Sequence, residues 1–132
     1  MPRHDTRVMA AIFLGGAIGA VLRVWLGTHF AVAAGQWPWI TFTINVSGTF
    51  TLAYFATRLQ ERLPQSTYLR PLLGTGFCGA YTTFSTMQVE ILRMLDHERY
   101  LLAASYTAAS LLFGSLAVWI ASALVRRVRV LA

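Results

Sequence analysis

Residues 37–57 read WPWITFTINVSGTFTLAYFAT and hold no Asp, Glu, Lys, Arg or His. At 1.5 Å per residue, such a run forms a helix of about 30 Å, the thickness of a bilayer's hydrocarbon core. Working outward, residues 100–125 make a second uncharged run, and residues 71–89 a third that closes at Glu90. A fourth covers residues 8–32, interrupted only by Arg23 and His29. These runs nearly exhaust a chain of 132 residues, the size of one domain spanning 1–132. The predicted fold class is all-α, a membrane protein of four transmembrane helices.

Composition excludes the main alternatives. The chain is 56% hydrophobic and 12% charged, about half the charged share of a soluble domain. Four buried soluble helices would need polar outer faces, which these runs do not supply. The net charge is +6 and every one of the 11 basic residues is Arg. A nucleic-acid binder would place such charge on a polar surface that this chain lacks, so no nucleic-acid partner is expected. The single Cys78 excludes an intrachain disulfide and a cysteine-rich metal site. The first run is long and shows no clear small-x-small cleavage site, so no cleavable targeting peptide is expected. His4, His29 and His97 lie at a terminus or in loops without metal-ligand spacing. No serine has a plausible base at membrane depth. The chain is not expected to be an enzyme.

Polar groups inside the apolar runs carry the remaining information. Gly15, Gly19 and Arg23 recur at i, i+4 and i+8 and share one helix face, with Gly15 and Gly19 permitting close approach of another helix. Arg23 reads either as a side chain snorkelling to headgroups or as the charge of an electropositive vestibule. Thr41, Asn45 and Thr49 form a stripe on the second helix, with Gly48 beside it. Asn45 reads either as glue between helices or as an amide offered to an anion. Glu90 reads as a helix-end charge contacting Arg or headgroups. Tyr106, Ser110 and Gly114 form a further i, i+4, i+8 stripe whose hydroxyls serve an anion or cap local carbonyls.

Residues 74–86, GTGFCGAYTTFST, are dense in glycine and threonine, and a broken third helix is predicted there. A break inside a membrane requires protein or water to satisfy its backbone. Its carbonyls could hold a small cation, while the hydroxyls of Thr82, Thr83, Ser85 and Thr86 could line a path. Asn45, Tyr106, Ser110 and this cluster include no carboxylate, which favours anion over cation passage. Four helices are few for a complete pore, so a homodimer or larger assembly is expected.

Three stretches carry a family resemblance. Residues 15–23 (GGAIGAVLR), 43–50 (TINVSGTF) and 76–86 (GFCGAYTTFST), followed by Glu90, resemble the motifs of the CrcB/Fluc fluoride channels in order along the chain. The resemblance implies a passive, fluoride-selective channel exporting cytoplasmic fluoride down its electrochemical gradient. It implies a multi-pass protein of a bacterial inner membrane, assembled as an antiparallel homodimer with two narrow pores. It implies a structural Na+ at the dimer centre, held by backbone carbonyls matched to Gly79 and Thr82. Asn45 would coordinate fluoride, Phe84 would offer a ring edge, and Thr83 and Ser85 would lie on the pathway. Tyr106 and Ser110 would form the fourth-helix polar track, and Arg23 the vestibule. Two positions depart from the pattern: Met87 stands where an aromatic is usual, and Gly114 where a serine is usual. A thioether has no positive ring edge to present. If position 87 is the missing box member, Met87→Phe should be tolerated.

Two rival classes remain: a structural subunit whose Asn and Gly stripes only pack helices, and a small cation or drug exporter, for which Glu90 is a poor proton-coupling candidate. Charge counting adds a tension. With four spans, Arg3, Arg7, Arg58, Arg62, Arg70, Arg126, Arg127 and Arg129 share one side, against Arg99 with Arg93 and Arg23 near the other. The positive-inside rule puts the termini in the cytoplasm, whereas an antiparallel dimer needs both insertions. The specificity of the third motif decides for the antiparallel dimer.

Overall fold

The computed structural model describes residues 5–61 and 68–130. Arg3, Arg62 and the side chain of Arg129, counted above for orientation, lie outside the described residues. Among the described residues the regular structure is all helical. Helix α1 (Thr6–His29) starts where Asp5 accepts the Arg7 N–H at 3.0 Å, a side-chain cap for one of the free donors of the first turn. Helix α2 (Trp39–Glu61) follows a loop that turns at Gly35, whose φ of 79° favours glycine and brings it against the His97 ring.

The third region is segmented. A π-helical stretch (Pro71–Cys78) opens with its proline in the first turn, where the missing N–H costs nothing. Its wider winding is seen where the Gly79 N–H reaches the Gly74 carbonyl, five residues back. It runs into a single turn, α3 (Gly79–Tyr81), after which Thr82 and Thr83 are extended, with ψ of 153° and 112°. Helix α4 (Phe84–Asp96) then begins, its N-terminus capped by Thr83 Oγ1 accepting the Thr86 N–H at 3.2 Å. Helix α5 (Tyr100–Val130) follows, with 31 residues.

Packing follows the small residues. Helix α1 lies on the π-helical stretch and α3, and a Cβ at Gly15 or Gly19 would collide with the carbonyl oxygen of Leu72 or Phe77. Backbone meets backbone there because no side chain intervenes. Helix α2 packs on α5, where Ala117, Ala121 and Val125 are buried. The main core cluster joins Met87 and Met94 of α4 to Ala103 and Tyr106 of α5, with Trp37 and Phe42 against it.

Among the described residues, two helices are long and apolar enough to cross a membrane: Thr6–His29 at mean hydropathy 1.9 and Tyr100–Val128 at 2.0. Their large apolar side chains, among them Phe13, Ile18, Trp25, Leu111 and Trp119, face outward, the reverse of a soluble helix. Four spans are expected from the sequence, and the other two differ for physical reasons. Helix α2 has the length, at 23 residues, but its threonines, serine and asparagine dilute its hydropathy. The third region is divided between Tyr81 and Phe84, so neither part alone spans a bilayer.

Candidate functional site

The stretch between α3 and α4 is where the chain stops satisfying its own backbone. An extended Thr82–Thr83 pair removes the helical donors of the preceding carbonyls. The Cys78 carbonyl keeps two donors, the Thr82 N–H at 3.0 Å and the Thr82 hydroxyl at 2.8 Å. The Ala80 carbonyl is reached from α1 by Arg23 Nε at 2.9 Å. Thr83 is held from α2: its N–H donates to Asn45 Oδ1 at 2.8 Å, and Asn45 Nδ2 donates back to its carbonyl at 3.0 Å. That exchange takes the Thr83 N–H away from the Gly79 carbonyl four residues earlier. The Thr86 N–H is likewise committed to Thr83 Oγ1 rather than to the Thr82 carbonyl. Among the described residues, no donor reaches the Gly79, Tyr81 or Thr82 carbonyl.

The same face of α2 supports the break by shape. A Cβ at Gly48 would collide with the Thr82 methyl group, so only glycine lets α2 approach this closely. Ser47 Oγ sits 3.1 Å from the Tyr81 hydroxyl, and Thr83 Oγ1 donates to Thr86 Oγ1 at 2.9 Å and lies 3.5 Å from Ser85 Oγ.

One turn further along both helices is a second polar cluster. Thr41 precedes Asn45 by four residues, and Glu90 follows Thr86 by four, so each pair shares a helix face. Thr41 Oγ1 donates to Glu90 Oε1 at 2.6 Å, and the Tyr106 hydroxyl donates to Glu90 Oε2 at 3.0 Å. Both donors are enclosed, Thr41 at 4% and Tyr106 at 0% exposure. A cavity of about 210 Å³ opens beside this carboxylate, with Thr41, Thr86, Glu90 and Arg93 in its walls. Glu90 is therefore tied to two helices from within the fold and is not a charge at a headgroup. A lone carboxylate ending an uncharged run, with hydroxyls on both neighbouring stripes, is the sequence signal that identifies this cluster.

The structure brings Asn45, Thr83, Ser85 and Thr86 together, and Tyr106 beside Glu90. Arg23 turns inward to a main-chain carbonyl and does not snorkel. Phe84 and Met87 point apart: Phe84 is 74% exposed, while Met87 is 8% exposed and packed in the core. Ser110 and Gly114 are half-buried along α5, and a Cβ at Gly114 would meet open space. Among the described residues, no group of three or more His, Cys, Asp or Glu side chains could hold a metal. The oxygens on offer at the break are neutral carbonyls, which suit a hard monovalent cation. Gly79 is exposed and Thr82 half-buried, so both remain accessible to a ligand.

Comparison with known proteins places these features in a sequence family. The profile described as "CrcB-like protein, Camphor Resistance (CrcB)" matches residues 10–122, from within α1 to within α5. A relative from Mycolicibacterium paratuberculosis, named fluoride-specific ion channel FluC 1, is 58% identical over 130 residues, 98% of each chain. Its namesake in Mycobacterium bovis is 55% identical over 130 residues, again 98% of each chain. FluC 2 of Geobacillus kaustophilus is 41% identical over 113 residues, 85% of this chain and 88% of its own.

Proposed function

The chain belongs to the CrcB family, and from that premise we propose that it is a fluoride-selective channel, passing cytoplasmic fluoride outward down its electrochemical gradient. Its relatives carry the names of ion channels, not of enzymes. The observation that carries the reading is the donor set at the break: the Asn45 amide with the Ser85 and Thr86 hydroxyls near it, Thr83 Oγ1 donating to Thr86 Oγ1 and so leaving the Thr86 hydrogen free to point elsewhere. The nearest carboxylate, Glu90, is already engaged by two hydroxyls. Moving a small anion into hydrocarbon costs tens of kcal/mol. A row of donors can replace water in steps, each weak enough to release the ion. Asn45 has one amide hydrogen left after its bond to Thr83, and that hydrogen is available to fluoride.

The working unit is an antiparallel homodimer in the inner membrane, crossing it several times, with two pores. The segments on either side of Thr82–Thr83 act together as the third, interrupted span. Support for a partner comes from Phe84, a large ring left 74% exposed directly after the break. A partner chain would cover it and make its edge part of a pore wall. Phe84 is the ring of the aromatic box, while Met87 backs the wall from the core. Tyr106, Ser110 and Gly114 continue the track along α5. The Gly79 and Thr82 carbonyls of two protomers hold a structural Na+ at the centre, where no carboxylate is present to match a divalent charge.

Purified protein in liposomes loaded with fluoride or with chloride tests the reading. Fluoride should escape and chloride stay; equal loss of both ions removes selectivity. The enclosed Glu90 favours one second reading, proton-coupled transport. An imposed pH gradient at equal fluoride concentrations would then drive fluoride accumulation, whereas a channel leaves the concentrations equal.

A further inference from the structure

The i, i+4, i+8 stripe of Gly15, Gly19 and Arg23 ends in a side chain whose charge suggests an anion vestibule and whose contacts show something else. The two glycines let α1 rest on the main chain of residues 72–77. That close approach carries Arg23 to the end of α3, where its Nε donates to the Ala80 carbonyl at 2.9 Å across 57 residues of sequence. In a continuous helix that carbonyl would take the Phe84 N–H, which the extended Thr82–Thr83 pair carries away. Arg23 thus replaces a missing helical donor, and does so with a cation at a helix C-terminus, where the backbone dipoles favour one.

The consequence concerns which carbonyls stay open. Cys78 is served by Thr82, Ala80 by Arg23 and Thr83 by Asn45. The Gly79, Tyr81 and Thr82 carbonyls remain, with Gly79 and Tyr81 flanking the one that Arg23 occupies. We infer that Arg23 is a positioning residue: it fixes the last turn of α3 and thereby the Gly79 and Thr82 carbonyls, and its charge is not a stop on the anion path. This rests on the reading that those two carbonyls hold a cation in a fluoride channel.

Two substitutions separate the roles. In Arg23→Gln the amide nitrogen stands the same number of bonds from the backbone as Nε, so the donor to Ala80 is kept and the charge is lost. In Arg23→Lys the charge is kept and the donor moves one bond outward. Fluoride flux should stay within about threefold of wild type for Gln and fall at least about tenfold for Lys, the size expected for one lost charge-assisted bond. The sodium concentration for half-maximal flux should rise for Lys and hold for Gln. Cys78, 2% exposed and two residues before Ala80, reports the same turn without flux: its maleimide labelling should quicken for Lys only. Normal flux in Arg23→Lys, or a tenfold loss in Arg23→Gln, overturns the assignment. If Arg23→Gln does not assemble, Arg23→Lys decides alone: lost flux with faster Cys78 labelling supports the role, and wild-type behaviour ends it. Failure of the wild-type protein to conduct fluoride would instead refute the functional reading, and the Cys78 rates would still decide what Arg23 does.

Discussion

Replacing Asn45 by leucine should separate what the amide does for the fold from what it does for an ion. Leucine has nearly the same shape but neither donates nor accepts. It would leave the Thr83 N–H and C=O without the partners they now have at 2.8 and 3.0 Å. Each unsatisfied, sheltered group costs about 1–3 kcal/mol, so the loss should be about 2–6 kcal/mol per protomer. Asn45→Asp is the informative companion. Its ionised carboxylate still accepts the Thr83 N–H but sets a second oxygen against the Thr83 carbonyl where a donor stood, so about half of that loss should appear together with an added repulsion. Fluoride flux should fall strongly in both, and more per assembled dimer in Asp, because the negative charge also repels the ion. Denaturant titration of the purified protein gives the stability, and liposome efflux gives the flux. If Asn45→Leu is as stable as wild type within about 0.5 kcal/mol, the clamp on Thr83 carries no load and its geometry explains nothing. If Asn45→Asp conducts normally, the amide is not on the path.

Four further outcomes follow from the same contacts. Thr41→Val removes the donor at 2.6 Å from the Glu90 carboxylate while keeping shape and should cost about 1.5–3 kcal/mol in thermal or denaturant unfolding; no change would mean that Glu90 is not anchored by α2. Met87→Phe, tolerable if position 87 faces the pore, instead enlarges a core side chain beside Met94 and Tyr106, so stability should drop by about 1–3 kcal/mol with flux per dimer unchanged. A gain in flux would place residue 87 in the pore wall. Exchange of sodium for a large organic cation should lower flux and stability together, and unchanged values would remove the central ion. Single cysteines near each terminus, in a Cys78→Ser background, should label from both sides of intact cells; labelling from the cytoplasm alone would rule out dual insertion.

Helices α2 and α5 were legible in the sequence because charge is costly in hydrocarbon, and their uncharged runs mark where most of each lies. The shared face of Gly15, Gly19 and Arg23 was legible too, since a period of 3.6 residues requires it. What that face meets is not periodic information. The sequence leaves Arg23 equally fit for headgroups and for a vestibule, and only the fold brings it to Ala80. Position 87 shows the same limit: Phe84 and Met87 stand three residues apart on one helix, close enough to be assigned to one surface. A rotation of that helix settles which of them is core, and the Tyr106 and Met94 contacts set the rotation.

The region from Gly74 to Thr86 was legible as irregular, because glycine and threonine weaken a helix. The π-helical winding before the break was not, since it alters hydrogen-bond partners without leaving a compositional mark. Nor was the identity of the orphaned carbonyls, which depends on donors from two other helices. That dependence joins stability to conduction. A break whose donors are Arg23 on α1 and Asn45 on α2 exists only once all three elements have met, so it cannot be formed locally and then packed. The residues proposed to conduct or to hold the cation are thus among those that assemble the fold. A substitution at Asn45 should therefore never change flux alone, and the ratio of its two effects, read against that of Phe84→Ile, which breaks no hydrogen bond within the protomer, measures how much of the amide's role is architectural. Equal ratios for the two substitutions would show that Asn45 contributes no more to the architecture than an exposed ring does.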